Sequence, residues 1–260
     1  MTAESIAQGW PAAAATALDD SELTHRYAAG RAARSVRMNF VSSIDGAATA
    51  GGLSAGLSSP ADKRVFDILR RLCDVVMVGA GTVRAEGYGA MRLDRASVEW
   101  RRANGLADHP VFAIVSGALN LDPGSVVFSE APVRAIVVTV EASASAKKQA
   151  FSRVADVLVC GKEKLDARVM LDQLAKRGLR QVLCEGGPTL FGTLLEADCV
   201  DELCLTVSPQ VVAGTAPRIA VGILQQSRRM ALQHALVAGS TLLLRYVRMR
   251  EEERGAALVG

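Results

Sequence analysis

The sequence feature that most constrains the fold is an apolar strand that ends in a glycine turn and continues at once as a helix. Residues 181–195 read Q-V-L-C-E-G-G-P-T-L-F-G-T-L-L. The strand is predicted to stop at Glu185; Gly186 and Gly187 then let the backbone turn, and Pro188 suits the first helical turn. Such a helix start attracts phosphate, and open α/β sheets bind ligands at the carboxyl ends of their strands. Taken alone, the stretch is equally an ordinary glycine-rich turn with a surface glutamate.

A second junction of the same kind lies upstream. Residues 74–78 form an apolar strand, and the turn G-A-G-T-V-R follows at 79–84. This is not the full dinucleotide fingerprint, because Arg84 occupies the sixth position and no strand ending in an acid follows about 20 residues later. It remains a generic anion-binding turn in which the Thr82 hydroxyl can bond a phosphate. Two such junctions favour a ligand site at one edge of a sheet.

Hydrophobic patterning predicts an α/β protein with a mixed, mostly parallel central sheet flanked by helices. A closing hairpin at 230–249 supplies antiparallel C-terminal strands. Residues 85–109 are predicted to be a long loop. The other predicted strands span residues 36–44, 111–115, 135–140, 157–160 and 201–209, and the predicted helices span 60–72, 143–153, 165–177 and 189–197.

The chain is predicted to be one domain with short extensions. Residues 1–34 read as a loosely packed N-terminal helical arm, 35–250 as the domain, and 251–260 as a frayed C-terminus. Arg31, Arg34 and Arg37 are predicted to belong to a solvated face.

Composition excludes several classes of function. The formal net charge of +3 is spread along the chain without a basic block, which argues against nucleic-acid binding. Five cysteines form no C-x-x-C pair and three histidines lie apart from acid clusters, so no metal site is predicted. No apolar run reaches the roughly 20 residues of a membrane span, and the first residues lack a secretory signal. We therefore expect a cytoplasmic protein.

Several motifs, in order and spacing, resemble the reductase domain of the riboflavin-biosynthesis deaminase–reductase, whose fold is that of dihydrofolate reductase. The chain departs from that pattern at 85–88, where A-E-G-Y replaces an acidic pair and proline, and at 56–57, where G-L replaces a tryptophan. The His/Cys zinc signature of the deaminase half does not occur in this sequence. The motifs are S-x-D-G at 43–46, S-S-P at 58–60, L-R at 69–70, D-V-V-M-V-G-A-G-T-V at 74–83, E-G-G-P-T-L at 185–190, V-D-E-L at 200–203 and S-P at 208–209.

The resemblance implies NADPH as hydride donor and a pyrimidine riboside 5′-phosphate whose ribose becomes a ribityl chain. It implies substrate contacts at Ser54, Arg70, Arg92 and Glu185, with the two arginines on the phosphate. Glu86 or Glu185 would assist proton movement, or merely hold hydroxyls and amides. It also implies a homodimer paired through the apolar closing strands, whose edge needs a cover. NADPH contacts would fall at Ser42, Gly56, Thr82, Glu86, Ser116, Gly186, Gly187, Pro188, Thr189, Leu190 and Gly192.

Several points stay open at the level of sequence. Arg70 lies near the end of a predicted helix, so capping that helix is its alternative role. Reduction of another heterocycle, such as dihydrofolate, and a non-catalytic NADPH- or nucleotide-binding sensor are the alternative functions. The sequence does not identify the proton donor or the arginine that reads the NADPH 2′-phosphate.

Overall fold

The computed structural model describes residues 17–30, 32–223 and 226–249. The strands are β1 Ser35–Ser43, β2 Val75–Gly79, β3 Val111–Val115, β4 Ala135–Thr139, β5 Ala155–Val159, β6 Gln181–Cys184, β7 Glu202–Ser208, β8 Met230–Ala238 and β9 Thr241–Arg248. The helices are α1 Asp20–Ala28, α2 Pro60–Leu72, α3 Ala80–Glu86, α4 Arg95–Ala103, α5 Val126–Ser129, α6 Ser145–Ser152, α7 Ala167–Lys176 and α8 Pro188–Glu196, with a 3₁₀ turn at Ser54–Gly56.

Within the described residues these strands form one nine-stranded sheet in the order β5-β4-β3-β2-β6-β1-β7-β9-β8. Every neighbouring pair from β5 to β7 is parallel, whereas β9 runs antiparallel to both β7 and β8. The predicted mostly parallel sheet with antiparallel C-terminal strands is therefore confirmed. Because β6 is inserted between β1 and β2, the ends of three strands that are distant in sequence meet at the centre of one edge.

The central strands are aliphatic because helices cover both faces of the sheet. Successive residues of a strand point to opposite faces, so β2 sends Val76 and Val78 into one core and Val75 and Met77 into the other. Helices α1 and α2 cover the first face, and α7 and α8 cover the second. All four of these β2 side chains are 0% exposed.

The prediction of a loop across 85–109 is wrong in part, because α4 lies within it. The Asp94 carboxylate accepts a hydrogen bond of 2.7 Å from the Ser97 N–H and so begins the helix. Arg101, only 1% exposed, fixes the helix by donating to the carbonyls of Arg71 and Cys73. A buried arginine anchors this helix in place of an apolar stripe, so hydrophobic periodicity does not reveal it.

The described part of the N-terminal arm is docked on the domain and is not loosely packed. Helix α1 begins with a capping box formed by Asp19 and Glu22. It buries Leu23 and Tyr27, which are 5% and 1% exposed. Residues 1–16 of the predicted arm and the predicted frayed C-terminus at 251–260 lie outside the described residues.

A buried charge cluster ties the end of α1 to the sheet. Arg37 and Arg245 both donate to the Glu202 carboxylate, and all three side chains are 4% exposed. The two guanidinium groups also donate to the carbonyls of Arg26, Tyr27 and Ala29 in and just after the last turn of α1. The prediction that Arg37 lies on a solvated face is therefore wrong, since its charge is balanced inside the fold.

Candidate functional site

A cavity of about 510 Å³ lies at the carboxyl edge of β1, β2 and β6. Its size is typical of pockets that bind small molecules. The lining includes the face of α2 that carries Asp62, Phe66 and Arg70, and the start of α8 at Pro188. Parts of the glycine-rich stretch 48–55 and of residues 81–89 complete the lining. The cavity therefore sits where the two glycine junctions predict a ligand site.

The two junctions are in direct contact. The Gly79 N–H donates to the Gly186 carbonyl at 2.9 Å. Gly186 has a φ of 137°, which disfavours residues with a Cβ. A Cβ at Gly187 would lie 2.7 Å from the Thr82 Oγ1, so a glycine is needed for the close approach of these two turns. The Gly186–Gly187 peptide is cis.

Glu185 and Arg70 form a buried bidentate ion pair at the inner end of the cavity. Arg70 Nε donates to Glu185 Oε1 at 2.6 Å, and Nη2 donates to Oε2 at 2.7 Å. The Glu185 side chain is 0% exposed and that of Arg70 is 18% exposed. Burial alone lowers the pKa of Arg70, but the charge and hydrogen bonds of Glu185 outweigh it and raise that pKa overall. Arg70 therefore stays cationic, and its charge is directed at the Glu185 carboxylate.

Tyr88 supplies a third hydrogen bond to the same carboxylate. Its hydroxyl donates to Glu185 Oε2 at 3.2 Å, and its ring stacks on Phe112 with centroids 5.8 Å apart. Burial, reinforced by the negative charge of Glu185, raises the pKa of Tyr88, so the phenol remains a neutral donor. Two donors from Arg70 on α2 and one from Tyr88, just after α3, thus fix the orientation of Glu185. Tyr88 is not among the site residues predicted from the sequence, although its position falls in the A-E-G-Y departure from the family pattern.

Glu86 joins the glycine-rich stretch to α3. Its Oε1 accepts a 2.7 Å hydrogen bond from the Ser54 N–H. Helix α3 ends at Glu86 because Gly87 takes a left-handed conformation with a φ of 66°. Both Ser54 and Glu86 line the cavity, as do the predicted residues Thr82, Arg70, Glu185, Gly186, Gly187 and Pro188.

Other residues predicted to bind the cofactor lie outside the cavity lining. Ser42 is buried in β1, and Ser116 is buried after β3 with its carbonyl accepting from Thr139 Oγ1 at 2.8 Å. The Gly56 carbonyl accepts from Gln210 Nε2 at 3.0 Å. Thr189, in the first turn of α8, is exposed. The roles of these four residues stay predictions.

The structure does not place three further predicted residues at a ligand contact: Leu190, Gly192 and Arg92. Leu190 is 6% exposed and belongs to the core under α8. A Cβ at Gly192 would overlap the Val221 carbonyl, so this glycine serves helix–loop packing. Arg92 is exposed and donates to the Glu130 carbonyl at 3.1 Å, outside the cavity lining. These placements give no support to cofactor contacts at Leu190 and Gly192 or to a phosphate contact at Arg92.

Across 17–30, 32–223 and 226–249, no group of three or more His, Cys, Asp or Glu side chains could hold a metal ion. In the same ranges, no helix is long and apolar enough to cross a membrane.

The mostly parallel sheet, with a cavity at its central carboxyl edge and a fixed carboxylate inside, defines an α/β protein with a small-molecule site. A family model described as the RibD C-terminal domain matches residues 34–244. The chain therefore belongs to this family of reductases, and the resemblance seen in the sequence is confirmed.

Individual relatives agree with this assignment. The 2,5-diamino-6-ribosylamino-4(3H)-pyrimidinone 5′-phosphate reductase of Methanothermobacter thermautotrophicus is 32% identical over 221 residues, which cover 81% of this chain and 96% of that protein. The riboflavin biosynthesis protein RibD of Escherichia coli is 28% identical over 192 residues, which cover 70% of this chain and 50% of that protein. The crystal structure of a pyrimidine reductase-like protein from Corynebacterium diphtheriae has a TM-score of 0.80 and 25% identity, covering 88% of this chain and 99% of that one.

Proposed function

We propose that the protein is a cytoplasmic NADPH-dependent reductase of riboflavin biosynthesis. Its substrate would be 5-amino-6-(5-phosphoribosylamino)uracil or the diaminopyrimidine analogue, and the ribosyl group would be reduced to ribityl. The observation that carries the proposal is the Glu185 carboxylate, held by Arg70 and Tyr88 inside a cavity between two glycine junctions. The relative named as a pyrimidinone 5′-phosphate reductase, which the chain matches over 96% of that protein's length, supports this substrate class.

The residues present fit a nicotinamide cofactor. Thr82, Gly186 and Gly187 line the cavity at the junction of the two turns, and Pro188 begins a helix whose free N–H groups favour phosphate. When bound, NADPH supplies the hydride. The contribution of the chain is to hold NADPH and the substrate in the relative orientation that hydride transfer needs, and to exclude water from the cavity.

The two cavity glutamates have different roles in this proposal. Glu185 binds and orients hydroxyl or amide groups of the substrate, because three donors already fix its carboxylate. Glu86 is assigned to proton movement at the reduced ribose, since it lines the cavity beside the covering glycine-rich stretch. A Glu86→Gln variant with the wild-type kcat would remove this assignment.

The test is turnover of NADPH by the purified protein with the two pyrimidine ribosides and with dihydrofolate. We expect NADPH oxidation with a phosphorylated riboside and none with dihydrofolate. NADPH should exceed NADH in kcat/KM by roughly ten- to a hundredfold, the effect of one charge-assisted contact to the 2′-phosphate. Oxidation with dihydrofolate alone would favour the other reductase, and binding of NADPH without any turnover would favour the sensor.

We propose further that the protein is a homodimer paired through its C-terminal strands. Strand β8 is an edge of the sheet, and Leu232 and Leu242 on β8 and β9 are 53% and 38% exposed. An unpaired sheet edge with exposed leucines favours pairing with a second chain. Light scattering at micromolar concentration should give twice the mass of one chain, and Leu232→Glu should halve it. A wild-type monomer would contradict the proposal.

A further inference from the structure

We propose that Asp62 binds the base of the substrate and selects a 2-amino-4-pyrimidinone over the corresponding uracil; this inference rests on the proposed function. Of the two pyrimidine ribosides named there, the protein would then reduce the diaminopyrimidine analogue. Asp62 is a buried carboxylate at the cavity, and the fold uses only part of its capacity to accept hydrogen bonds.

The Asp62 carboxylate has no counter-ion. It lies in the first turn of α2, is 9% exposed and lines the cavity. Within the described part of the chain it belongs to no ion pair. Carboxylates in protein interiors are rarely left without a cation, because a buried charge is costly unless it is compensated. A ligand that donates hydrogen bonds to Asp62 would supply this compensation.

Two neighbouring hydroxyl groups hold the Asp62 side chain in place. Ser58 Oγ donates to Oδ2 at 2.6 Å, and Thr206 Oγ1 on β7 donates to Oδ1 at 2.5 Å. The Asp62 N–H donates to Ser59 Oγ at 3.2 Å, which fixes the backbone at the start of α2. The orientation of both carboxylate oxygens is therefore set by the fold before a ligand arrives.

The acceptor positions that remain on Asp62 decide which base fits. A carboxylate has about four positions that accept hydrogen bonds, two on each oxygen. A hydroxyl takes one position on each oxygen, so each oxygen retains one for the ligand. A 2-amino-4-pyrimidinone presents an amino N–H and a ring N–H side by side. These two parallel donors match the two oxygens in the bidentate manner that makes hydrogen bonds to a carboxylate strong.

The corresponding uracil, held in the same orientation, cannot form this pair of bonds. It carries a carbonyl oxygen where the amino group would be, and this oxygen would face a carboxylate oxygen of Asp62. The complex then loses one charge-assisted hydrogen bond and gains a repulsion between two acceptors. A site that hydrogen-bonds a particular donor rejects a ligand lacking it by a large factor, because a buried polar group is left unpaired.

The side chains around Asp62 suit a flat base better than a sugar. Phe66 lies one turn further along α2, at position i+4, and lines the cavity on the same face of the helix. Val41, Ala48 and Ala55 also line the cavity. A hydroxyl-rich sugar chain would leave polar groups against these apolar side chains, whereas a planar heterocycle has two apolar faces and a polar edge for the carboxylate.

The experiment measures kcat/KM for the 2-amino riboside and for the uracil riboside in wild type, Asp62→Asn and Asp67→Asn. Asp67 is exposed on the same helix and does not line the cavity, so it is the matched control. Wild type and Asp67→Asn should both favour the 2-amino riboside by at least about a hundredfold. Asp62→Asn exchanges one acceptor for a donor that suits a carbonyl, so its preference should fall to about tenfold or less, or reverse. Because the Ser58 and Thr206 hydroxyls can accept as well as donate, this variant should fold.

A binding assay with the bases alone separates this inference from the proposed function. Isocytosine carries the amino and ring N–H edge, uracil does not, and neither contains the sugar or the phosphate. Wild type, titrated by NMR, should bind isocytosine at least about tenfold more tightly than uracil, and Asp62→Asn should lose most of this difference. If neither riboside is reduced but this difference is present, the proposed function fails and the base site stands.

Three results would overturn the inference. Equal affinity of wild type for isocytosine and uracil does so without any variant. An Asp62→Asn variant that keeps the wild-type ratio of kcat/KM for the two ribosides, with both values unchanged, shows that Asp62 does not contact the base. An equal loss for both ribosides in Asp62→Asn, with the Asp67→Asn control unaffected, assigns Asp62 to the sugar that the two substrates share.

Discussion

Arg70→Ala should lower the free energy of unfolding by about 3–5 kcal/mol and remove most of the turnover. The substitution leaves the Glu185 carboxylate, whose side chain is 0% exposed, without the two donors at 2.6 Å and 2.7 Å. A buried charge without its partner is costly, and a carboxylate held only by Tyr88 no longer has a fixed orientation. Chemical denaturation measures the first effect and NADPH oxidation the second.

Two control experiments distinguish the buried Arg70–Glu185 pair from an exposed ion pair. Arg95 pairs with Glu99 on α4 with side chains 92% and 59% exposed, so Arg95→Ala should cost about 0.5 kcal/mol or less. The double variant with Arg70→Met and Glu185→Gln should regain much of the lost stability, since no charge is left unpaired, but not the turnover. Equal stability of Arg70→Ala and Arg95→Ala would show that the buried pair contributes nothing.

Glu202→Gln should destabilise the fold by about 3–5 kcal/mol without touching the cavity. Glu202 accepts from Arg37 Nη2 at 2.6 Å and from Arg245 Nε at 3.0 Å, and these side chains are all 4% exposed. The neutral amide leaves two guanidinium groups in the interior without a counter-ion. The melting temperature should fall by roughly 6–20 °C, given about 2–4 °C for each kcal/mol in a chain of this size.

The region that unfolds first distinguishes the loss of this charge cluster from a general loss of stability. Because the two arginines also donate to carbonyls in and just after the last turn of α1, Glu202→Gln should expose α1 to proteolysis before the rest of the domain. The matched control is Glu99→Gln at an exposed ion pair, which should melt close to wild type. At a temperature where the variant is folded, its KM values should be unchanged. A melting curve like that of Glu99→Gln would contradict the prediction.

The sheet could be predicted from the sequence because its strands are aliphatic and its junctions contain glycine. The run at 74–78 and the turn at 79–84 predict β2 and the start of α3, and 181–195 predicts β6 and α8. Both patterns are local, since side-chain periodicity and the need for a glycine act over a few residues. The meeting of the two junctions at one cavity follows from the rule that ligands bind at the carboxyl ends of strands.

The partners of the charged residues could not be predicted, because they lie far apart in the chain. Arg70 and Glu185 are 115 residues apart, and Arg37 and Glu202 are 165 residues apart. In each case one member resembles a helix cap or a solvated charge until the tertiary contact is known. The contact of Tyr88 could not be predicted for the same reason, because its hydroxyl reaches Glu185 only after the sheet has assembled.

The insertion of β6 between β1 and β2 also sets the order in which a growing chain can build the site. Strands β1 and β2 leave the ribosome early, but neither pairs with the other, and the strand that joins them begins about 100 residues after β2 ends. At translation rates of roughly 5–20 residues per second, their aliphatic edges wait on the order of 5–20 s for that partner. Strand β3 can pair with the other edge of β2 soon after it emerges. The nascent chain therefore presents β1 unpaired and one open edge of β2 during synthesis, and no fragment that stops before Gln181 can contain the cavity.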